Sequence, residues 1–599
     1  VSTLVELFFE AVDRHADRPA LQRFASPTTL ASVSYREVAE AAKRVAAALE
    51  TRGVRRGDRV AILSENRPEW SIADWGCLCA GVLDVPIYTT LPASQVGYLL
   101  EDSGAKLVFA STTEQADKAL SAAAARGLAI EVVAFDPPAV PREHVSSWAD
   151  FLAVADARAR SWSDDEFRRA ALAAKPEDVA TILYTSGTTG DPKGVMLTHG
   201  NIGSNVRACA MVFPISAADT TVSFLPLSHI LQRMVDYLFF WVGCTIAYPR
   251  SLETVIADMK VIRPTVVVSV PRIYEKIYNN VMQARGAKKK IVRWAVDVAD
   301  RVAELRLAGK VPGGLLAFQY RVADRLVFSK VKGAVGGRLR FFVSGGGPLA
   351  PALARFFYSI GLTVLEGYGL TETSPVTNVN TLEAFRIGTV GKPVPGTEIK
   401  IAPDGEILVR GPQVMKGYYR RPEATREAID SEGWFATGDI GELDDDGFLR
   451  ITDRKKDLIV TAGGKNVAPQ PIENRLKTHP LVEQVVMVGD ARKFCSLLVV
   501  PDFARLEAWA RANGIRWTNK EELVRDPRVV RFVERQILGS LTDLAPFEQP
   551  KKIALLAEEL TIANGFLTPS LKVKRRVVQE RLKHVIDALY EEGGAGAAA

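Results

Sequence analysis

The chain has 599 residues, 47% of them hydrophobic, and a net charge of +6. That length exceeds what a single hydrophobic core sustains, so two or more domains are expected, and so small a charge leaves no footprint for nucleic-acid binding. Five cysteines without CxxC spacing (Cys77, Cys79, Cys209, Cys244, Cys495) speak for reduced thiols in a cytoplasm and against a cysteine metal site. The first residues, VSTLVELFFEAVDRHADRP, put no charged segment before a long apolar core, and no later stretch offers about twenty uncharged apolar residues. A soluble or peripheral protein is expected.

The early chain alternates two patterns. YREVAEAAKRVAAALETRG reads as a helix stopped at Gly53, DRVAILS as the strand after it, and LDVPIYTTLPASQVGYLLEDSG followed by KLVFAS repeats the unit. Such alternation predicts a parallel, doubly wound sheet. Residues 122–166, rich in Ala, Pro and Asp, are expected to form surface helices and loops.

Next comes Tyr184 to Gly194, YTSGTTGDPKG, set between the apolar runs VATIL and VMLT. It compresses the hydroxyls of Thr185, Ser186, Thr188 and Thr189, the glycines Gly187, Gly190 and Gly194, and the cation Lys193 into one loop. Glycines let backbone N–H groups converge on an anion, hydroxyls add donors and lysine adds a point charge, so the loop suits phosphates. It is not a Walker loop, because no GK[ST] follows and the exit is strand-like. FLPLSHILQR then places His229 just past an apolar strand.

Between Ala287 and Phe328, the positions Ile291, Trp294, Ala295, Val298, Val302 and Leu305 recur at helical spacing, with Lys288, Lys289, Lys290 and Arg293 near one end. This is either a surface helix packed on its own domain or a helix that meets an anionic membrane surface. RLRFFVS, GGGP, LAPALARFFYSI and LTVLE form the next strand, turn, helix and strand, with Pro348 suited to the first helical turn and Gly361 to the stop. Two glycine loops leaving neighbouring parallel strands should open onto one sheet edge, where such sheets bind ligands. Gly345, Gly346 and Gly347 permit close approach of a flat base, Tyr368 can stack on it, and Glu372 offers a carboxylate for Mg2+.

From Gly388 the strands EIKIA, GEILVRG and FLRIT alternate with PDG and DDG turns, which suggests a small β-barrel. WFATGDIGELDDDG, DRKKDLIVTAGGKNVAPQPIE and LTPSLKVKRRVVQERL follow, and GGAGAAA closes the chain as a tail expected to be disordered.

Taken together, YTSGTTGDPKG, LPLSH, EGYGLTET, TGD, DRKKDLI and LTPSLKVKR resemble the signatures of the adenylate-forming superfamily of acyl-CoA synthetases, luciferases and peptide-synthetase adenylation domains. The resemblance spans nearly the whole chain and is strongest to long-chain fatty-acid CoA ligases. It implies an α/β fold: a large N-terminal domain of doubly wound mixed sheets plus a small β-barrel (1–452), a hinge (453–458), a smaller mobile α+β C-terminal domain (459–592) and the tail (593–599). It assigns ATP and AMP contacts to Thr185, Ser186, Gly187, Thr188, Thr189, Gly190, Lys193, Gly346, Glu366, Gly367, Tyr368, Thr371, Asp439, Arg454 and Lys456. Asp439 and Arg454 hold the ribose, and Lys456 stands at the hinge. Catalysis falls to Lys572, Glu372 and His229, Mg2+ to Thr185 and Glu372, and a CoA channel to Gly463 and Gly464. One departure stands out: some relatives carry a tryptophan gate to the acid tunnel where this chain has Arg233.

The chemistry implied is activation of a fatty acid by ATP, release of pyrophosphate, and transfer of the acyl group to CoA after the C-terminal domain rotates Lys572 away. Two alternatives stay open from sequence: an acyl-AMP ligase that loads a carrier protein, and a non-catalytic nucleotide-binding, membrane-recruited protein. The expected partners are fatty acid, ATP and CoA, with no nucleic acid, in a cytoplasmic protein that contacts the inner face of the cell membrane.

Overall fold

The computed structural model describes residues 2–185, 191–282, 286–568 and 572–591. The expected alternation builds an eight-stranded sheet in the spatial order Gly417–Tyr418, Lys193–Thr198, Val179–Thr185, Leu83–Ile87, Arg59–Leu63, Leu107–Ala110, Glu131–Ala134, Val145–Ser147. From Val179–Thr185 to Val145–Ser147 neighbours run parallel, while Lys193–Thr198 and Gly417–Tyr418 add on antiparallel. Its helices begin where the sequence provides caps. Ser34 accepts the Glu37 N–H at 3.2 Å and the Glu37 carboxylate accepts the Ser34 N–H at 2.7 Å, which opens the helix Tyr35–Thr51.

A second sheet, Val266–Ser269, Phe341–Ser344, Val364–Gly369, Val376–Val379 and Lys392–Pro393, is parallel over its first three strands and antiparallel afterwards. The helix Ile230–Val242 is buried along most of its length, so its residues face cores on several sides. In the C-terminal part, Val482–Val488, Ser496–Pro501 and Lys552–Leu555 form a three-stranded sheet. Alternate residues serve two cores: Val485, Met487, Leu497 and Val499 pack with Leu506 and Val533, while Val486, Val488, Leu498 and Val500 pack with Val578 and Ile586. Neither core draws a residue from before Ile459, which gives the expected two-domain layout.

Several expectations change. Residues 122–166 contain helices and loops, but Glu131–Ala134 and Val145–Ser147 extend the large sheet; each is too short for periodicity to reveal. The helix expected to open at Pro348 starts at Pro351, because proline holds the residue before it, Ala350, extended at ψ 128°. The region expected to close as a small β-barrel is a four-stranded antiparallel sheet of Glu398–Ile401, Glu406–Arg410, Phe435–Leu443 and Leu449–Arg454, whose edge strands do not pair with each other among the described residues. The amphipathic segment forms the helix Ala287–Leu307, with Ala295, Val298, Ala299, Val302 and Ala303 buried. Among the described residues no helix is long and apolar enough to cross a membrane.

Candidate active site

The hairpin of Val179–Thr185 and Lys193–Thr198 carries the hydroxyl-rich loop at its tip, with Thr185 opposite Lys193. Ser186, Gly187, Thr188, Thr189 and Gly190 lie outside the described residues; Thr185 and Lys193 line a cavity of about 2270 Å³. The strand Gly417–Tyr418 pairs alongside, Tyr418 opposite Val195. Through that register the Tyr418 ring lies 5.1 Å from the Lys193 ammonium, and its hydroxyl donates to Glu372 Oε1 at 2.9 Å. Lys193 and Glu372, 179 positions apart in sequence, are thereby neighbours in one charged wall.

The second glycine loop opens onto the same cavity, as expected of strands that end at one sheet edge. Gly346, Glu366, Gly367, Tyr368, Thr371 and Glu372 all line it. Gly369 explains why the GYGLTET string turns so tightly: a Cβ there would sit 1.7 Å from the Pro375 carbonyl oxygen, so a side chain cannot be accommodated. Burial pushes the Glu366 carboxyl up to about 8, against backbone N–H groups of Leu349 and Gly388 that favour its charged form. Glu366 therefore ties the triple-glycine loop to the 388 turn.

The third wall comes from the small antiparallel sheet. Asp439 and Arg454 are register partners, and Asp439 accepts from Arg454 Nε at 2.9 Å and from the Tyr368 hydroxyl at 2.6 Å. Asp439 is buried, and Lys456 lines the cavity just beyond.

Lys572 completes the ring from the C-terminal domain. Its carbonyl accepts the Thr568 N–H at 2.8 Å and its N–H donates to Thr568 Oγ1 at 3.0 Å. Its side chain keeps solvent contact through the cavity it lines, yet the protein crowded around it lowers its pKa to about 8. Desolvation is the leading cause and Arg454 the next, while Asp439 and Glu372 oppose them. His229 is close enough to feel that charge: burial first, then Lys572, bring its pKa down to about 4, so the ring is neutral near pH 7. Its Nδ1 accepts the Leu231 N–H at 3.2 Å and caps the helix Ile230–Val242.

From His229 the cavity continues into an apolar limb along that helix, past Leu231, Met234, Val235 and Leu238, and on to Val266, Val268 and Phe341 of the second sheet. Arg233 is not part of this limb, so the expected link between Arg233 and the tunnel entrance gives way to a core role. Its side chain is 1% exposed and is held by Asp74 at 2.5 Å, by Asp84, by Tyr237 at 2.8 Å and by Thr181 at 2.8 Å.

Glu372 and the Thr185 hydroxyl are the hard oxygen donors expected for Mg2+. Among the described residues no group of three or more His, Cys, Asp and Glu side chains could hold a metal ion alone. One carboxylate and one hydroxyl fit Mg2+, which keeps several waters and takes further oxygens from phosphates. Gly463 and Gly464 do not line the cavity; they sit exposed in the hairpin between Ile459–Val460 and Asn466–Val467.

Three features escaped sequence reasoning. Tyr418 lies in KGYYRR, and only the strand register shows that it bridges Lys193 and Glu372. Arg272, at the start of the helix Pro271–Met282, forms an ion pair with Glu483 of the C-terminal sheet, and both line the cavity. Arg575, three residues past Lys572, pairs with Glu473 at 2.7 Å. Only Arg272–Glu483 joins the C-terminal domain to the rest of the chain; Arg575–Glu473 lies within that domain.

The chain is similar to known proteins over most of its length. Residues 8–419 match the model of the AMP-binding enzyme family, and residues 456–525 that of the AMP-binding enzyme C-terminal domain. The chain is 40% identical to the long-chain-fatty-acid CoA ligase FadD15 of Mycobacterium bovis, over 92% of both chains. It is 33% identical to human long-chain-fatty-acid CoA ligase 1, over 98% of this chain and 87% of that one. Among solved structures, ATP-bound MatB from Rhodopseudomonas palustris superposes with a TM-score of 0.71 at 25% identity, covering 97% of this chain and 99% of that chain.

Proposed function

The chain belongs to the AMP-binding enzyme family, and from that premise we propose that it converts a long-chain fatty acid and ATP to acyl-adenylate and pyrophosphate, then passes the acyl group to CoA, giving acyl-CoA and AMP. The observation that carries the reading is a single cavity lined both by Lys193, Glu372, Asp439 and Lys572 and by the apolar side chains Leu231, Met234, Val235 and Leu238. The similarity to FadD15 and to human long-chain-fatty-acid CoA ligase 1 supports the same choice of acid.

A carboxylate is a poor electrophile, and bringing it to the α-phosphate sets negative charge against negative charge. Cations fixed in a cavity lower that barrier because they need no reorganisation as the reaction proceeds. In this reading Lys193, with the loop hydroxyls of Ser186, Thr188 and Thr189, meets the departing phosphates. Lys572 bridges the carboxylate and the α-phosphate. Asp439 and Arg454 hold the ribose, and Tyr368 stacks on the base over Gly346 and Gly367, with Thr371 beside it. Thr185 and Glu372 would hold Mg2+, which when bound neutralises phosphate charge. His229, neutral near pH 7, separates acid from nucleotide by shape and hydrogen bonding without adding a charge.

For the second half-reaction the CoA thiol needs the space that Lys572 fills. Residues 453–458 then act as a hinge at Lys456, and the domain 459–592 turns so that Lys572 leaves and the Gly463 and Gly464 hairpin comes in to shape a pantetheine channel. The setting is cytoplasmic, in contact with the inner face of the cell membrane.

Pyrophosphate release over a series of carboxylic acids, with and without CoA, tests the reading. Each methylene buried in the limb is worth about 0.8 kcal/mol, so kcat/KM should climb by about fourfold per carbon until the limb is filled. Free CoA should yield acyl-CoA. A steady preference for acids of a few carbons, or adenylate that never passes to CoA, would overturn it.

A further inference from the structure

We propose that the turn and second helix of the inserted hairpin, residues 307–326, form a docking surface for an anionic lipid bilayer. The exposed large apolar side chains elsewhere are mostly scattered, as on any protein surface, but five gather here: Leu307, Val311 at 90% exposure, Leu315 at 71%, Phe318 at 58% and Leu326. Leu315 and Phe318 are three apart on the helix Gly314–Ala323 and so share a face.

The charge around them has one sign. From residue 305 to 332 the chain holds Arg306, Lys310, Arg321, Arg325, Lys330 and Lys332 against a single acid, Asp324. Asp324 is paired with Lys332 at 2.8 Å, and the nearest upstream acid, Glu304, is paired with Arg355 at 2.8 Å. Lys310, Arg321, Arg325 and Lys330 are exposed and form no ion pair among the described residues. Exposed apolar groups flanked by uncompensated cations match the two parts of an acidic membrane interface: acyl chains just below the headgroups and negative charge at their level. The same charge opposes a second copy of this chain, because a self-complementary contact would bring two such cationic faces together.

The structure also separates this surface from the more obvious basic cluster. Lys288, Lys289 and Lys290 stand at the opposite end of the helix Ala287–Leu307, which at 1.5 Å per residue puts them about 30 Å from the turn. The helix rests on Pro271–Met282 and Pro351–Ser359, and the first residues of both, Pro271 and Pro351, line the cavity. The helix Gly314–Ala323 packs in turn on Ala287–Leu307, so two layers of helix lie between the proposed surface and the cavity. Lipid binding there requires nothing of the chemistry proposed for that cavity.

Co-sedimentation of the full chain with vesicles of phosphatidylcholine, with and without phosphatidylglycerol, tests the proposal. Binding should require phosphatidylglycerol and be weakened by salt. The pair Arg321→Glu/Arg325→Glu and the pair Leu315→Ser/Phe318→Ser should each weaken it by about tenfold or more, whereas Lys288→Glu/Lys289→Glu/Lys290→Glu should cost far less. Circular dichroism and pyrophosphate exchange with a water-soluble acid check that each variant is folded, and Arg321→Gln/Arg325→Gln replaces the charge reversal where it is not. Binding that survives both pairs, or that falls with the lysine triplet instead, overturns the proposal, as does a change of oligomeric state in place of a change in lipid binding.

Discussion

Replacing Lys572 by alanine should slow acid-dependent ATP–pyrophosphate exchange by roughly 10²-fold or more, the usual loss when a fixed transition-state charge contact is removed. Thiolysis of supplied acyl-adenylate should survive, because in the proposed cycle Lys572 has withdrawn by then. The asymmetry matters more than the size, since a merely structural lysine would impair both steps together. Acidity gives a second signature. The Lys572 pKa is lowered to about 8, so its charge is present below that pH and lost above it. Exchange should therefore fall as pH rises through about 8, and the Lys572→Ala residual rate should not follow that limb. Exchange that stays at the wild-type rate in the variant would remove Lys572 from the chemistry.

The second large effect is expected in the core. Arg233 joins the helix Ile230–Val242, which lines the apolar limb, to Thr181 on the strand that leads to the phosphate loop, and to Asp74 and Asp84. Burial raises the Asp74 carboxyl above the ordinary carboxylate range, Arg233 opposes that shift and neighbouring Asp84 adds to it. Two carboxyls, one guanidinium and one retained proton leave the cluster neutral overall. Arg233→Met keeps much of the volume and removes the cation, and breaking a buried pair in this way costs about 3–5 kcal/mol because the remaining charges have no compensation. The sign with pH follows. The Asp74 carboxyl, with its raised folded-state pKa, holds a proton that the unfolded chain releases above about pH 4, so stability is lost as pH rises. The variant's melting temperature should drop more steeply than the wild type's between pH 5 and 8. A variant as stable as wild type across that range would mean that the cluster is not held by its charge.

What could be read from the sequence was local chemistry. Glycines, hydroxyls and a lysine packed into YTSGTTGDPKG, and GGGP and GYGLTET leaving parallel strands, announce a ligand edge because few other roles need those residue types so close together. The structure brings Thr185, Lys193, Tyr368, Glu372, Asp439 and Lys572 to one cavity. What escaped were partners set by distant parts of the chain. Arg233 looked like an odd residue at a tunnel mouth, since nothing in LSHILQR shows that Asp74 and Asp84 arrive from the far side. Tyr418 and the Arg272–Glu483 pair depend on strand register and domain placement, which no short window carries. Pro348 is the helix start that the sequence suggests, but the helix opens at Pro351, because proline keeps its predecessor Ala350 extended.

The central claim is that one domain arrangement makes the adenylate and another consumes it. Arg272 and Glu483 touch across the two domains in the arrangement that puts Lys572 in the cavity, so replacing both by cysteine and joining them with a short bismaleimide should hold that pose. The account predicts that the cross-linked enzyme still forms acyl-AMP and pyrophosphate at close to its uncross-linked rate and makes almost no acyl-CoA. Equal rates for both half-reactions in the cross-linked enzyme would contradict it.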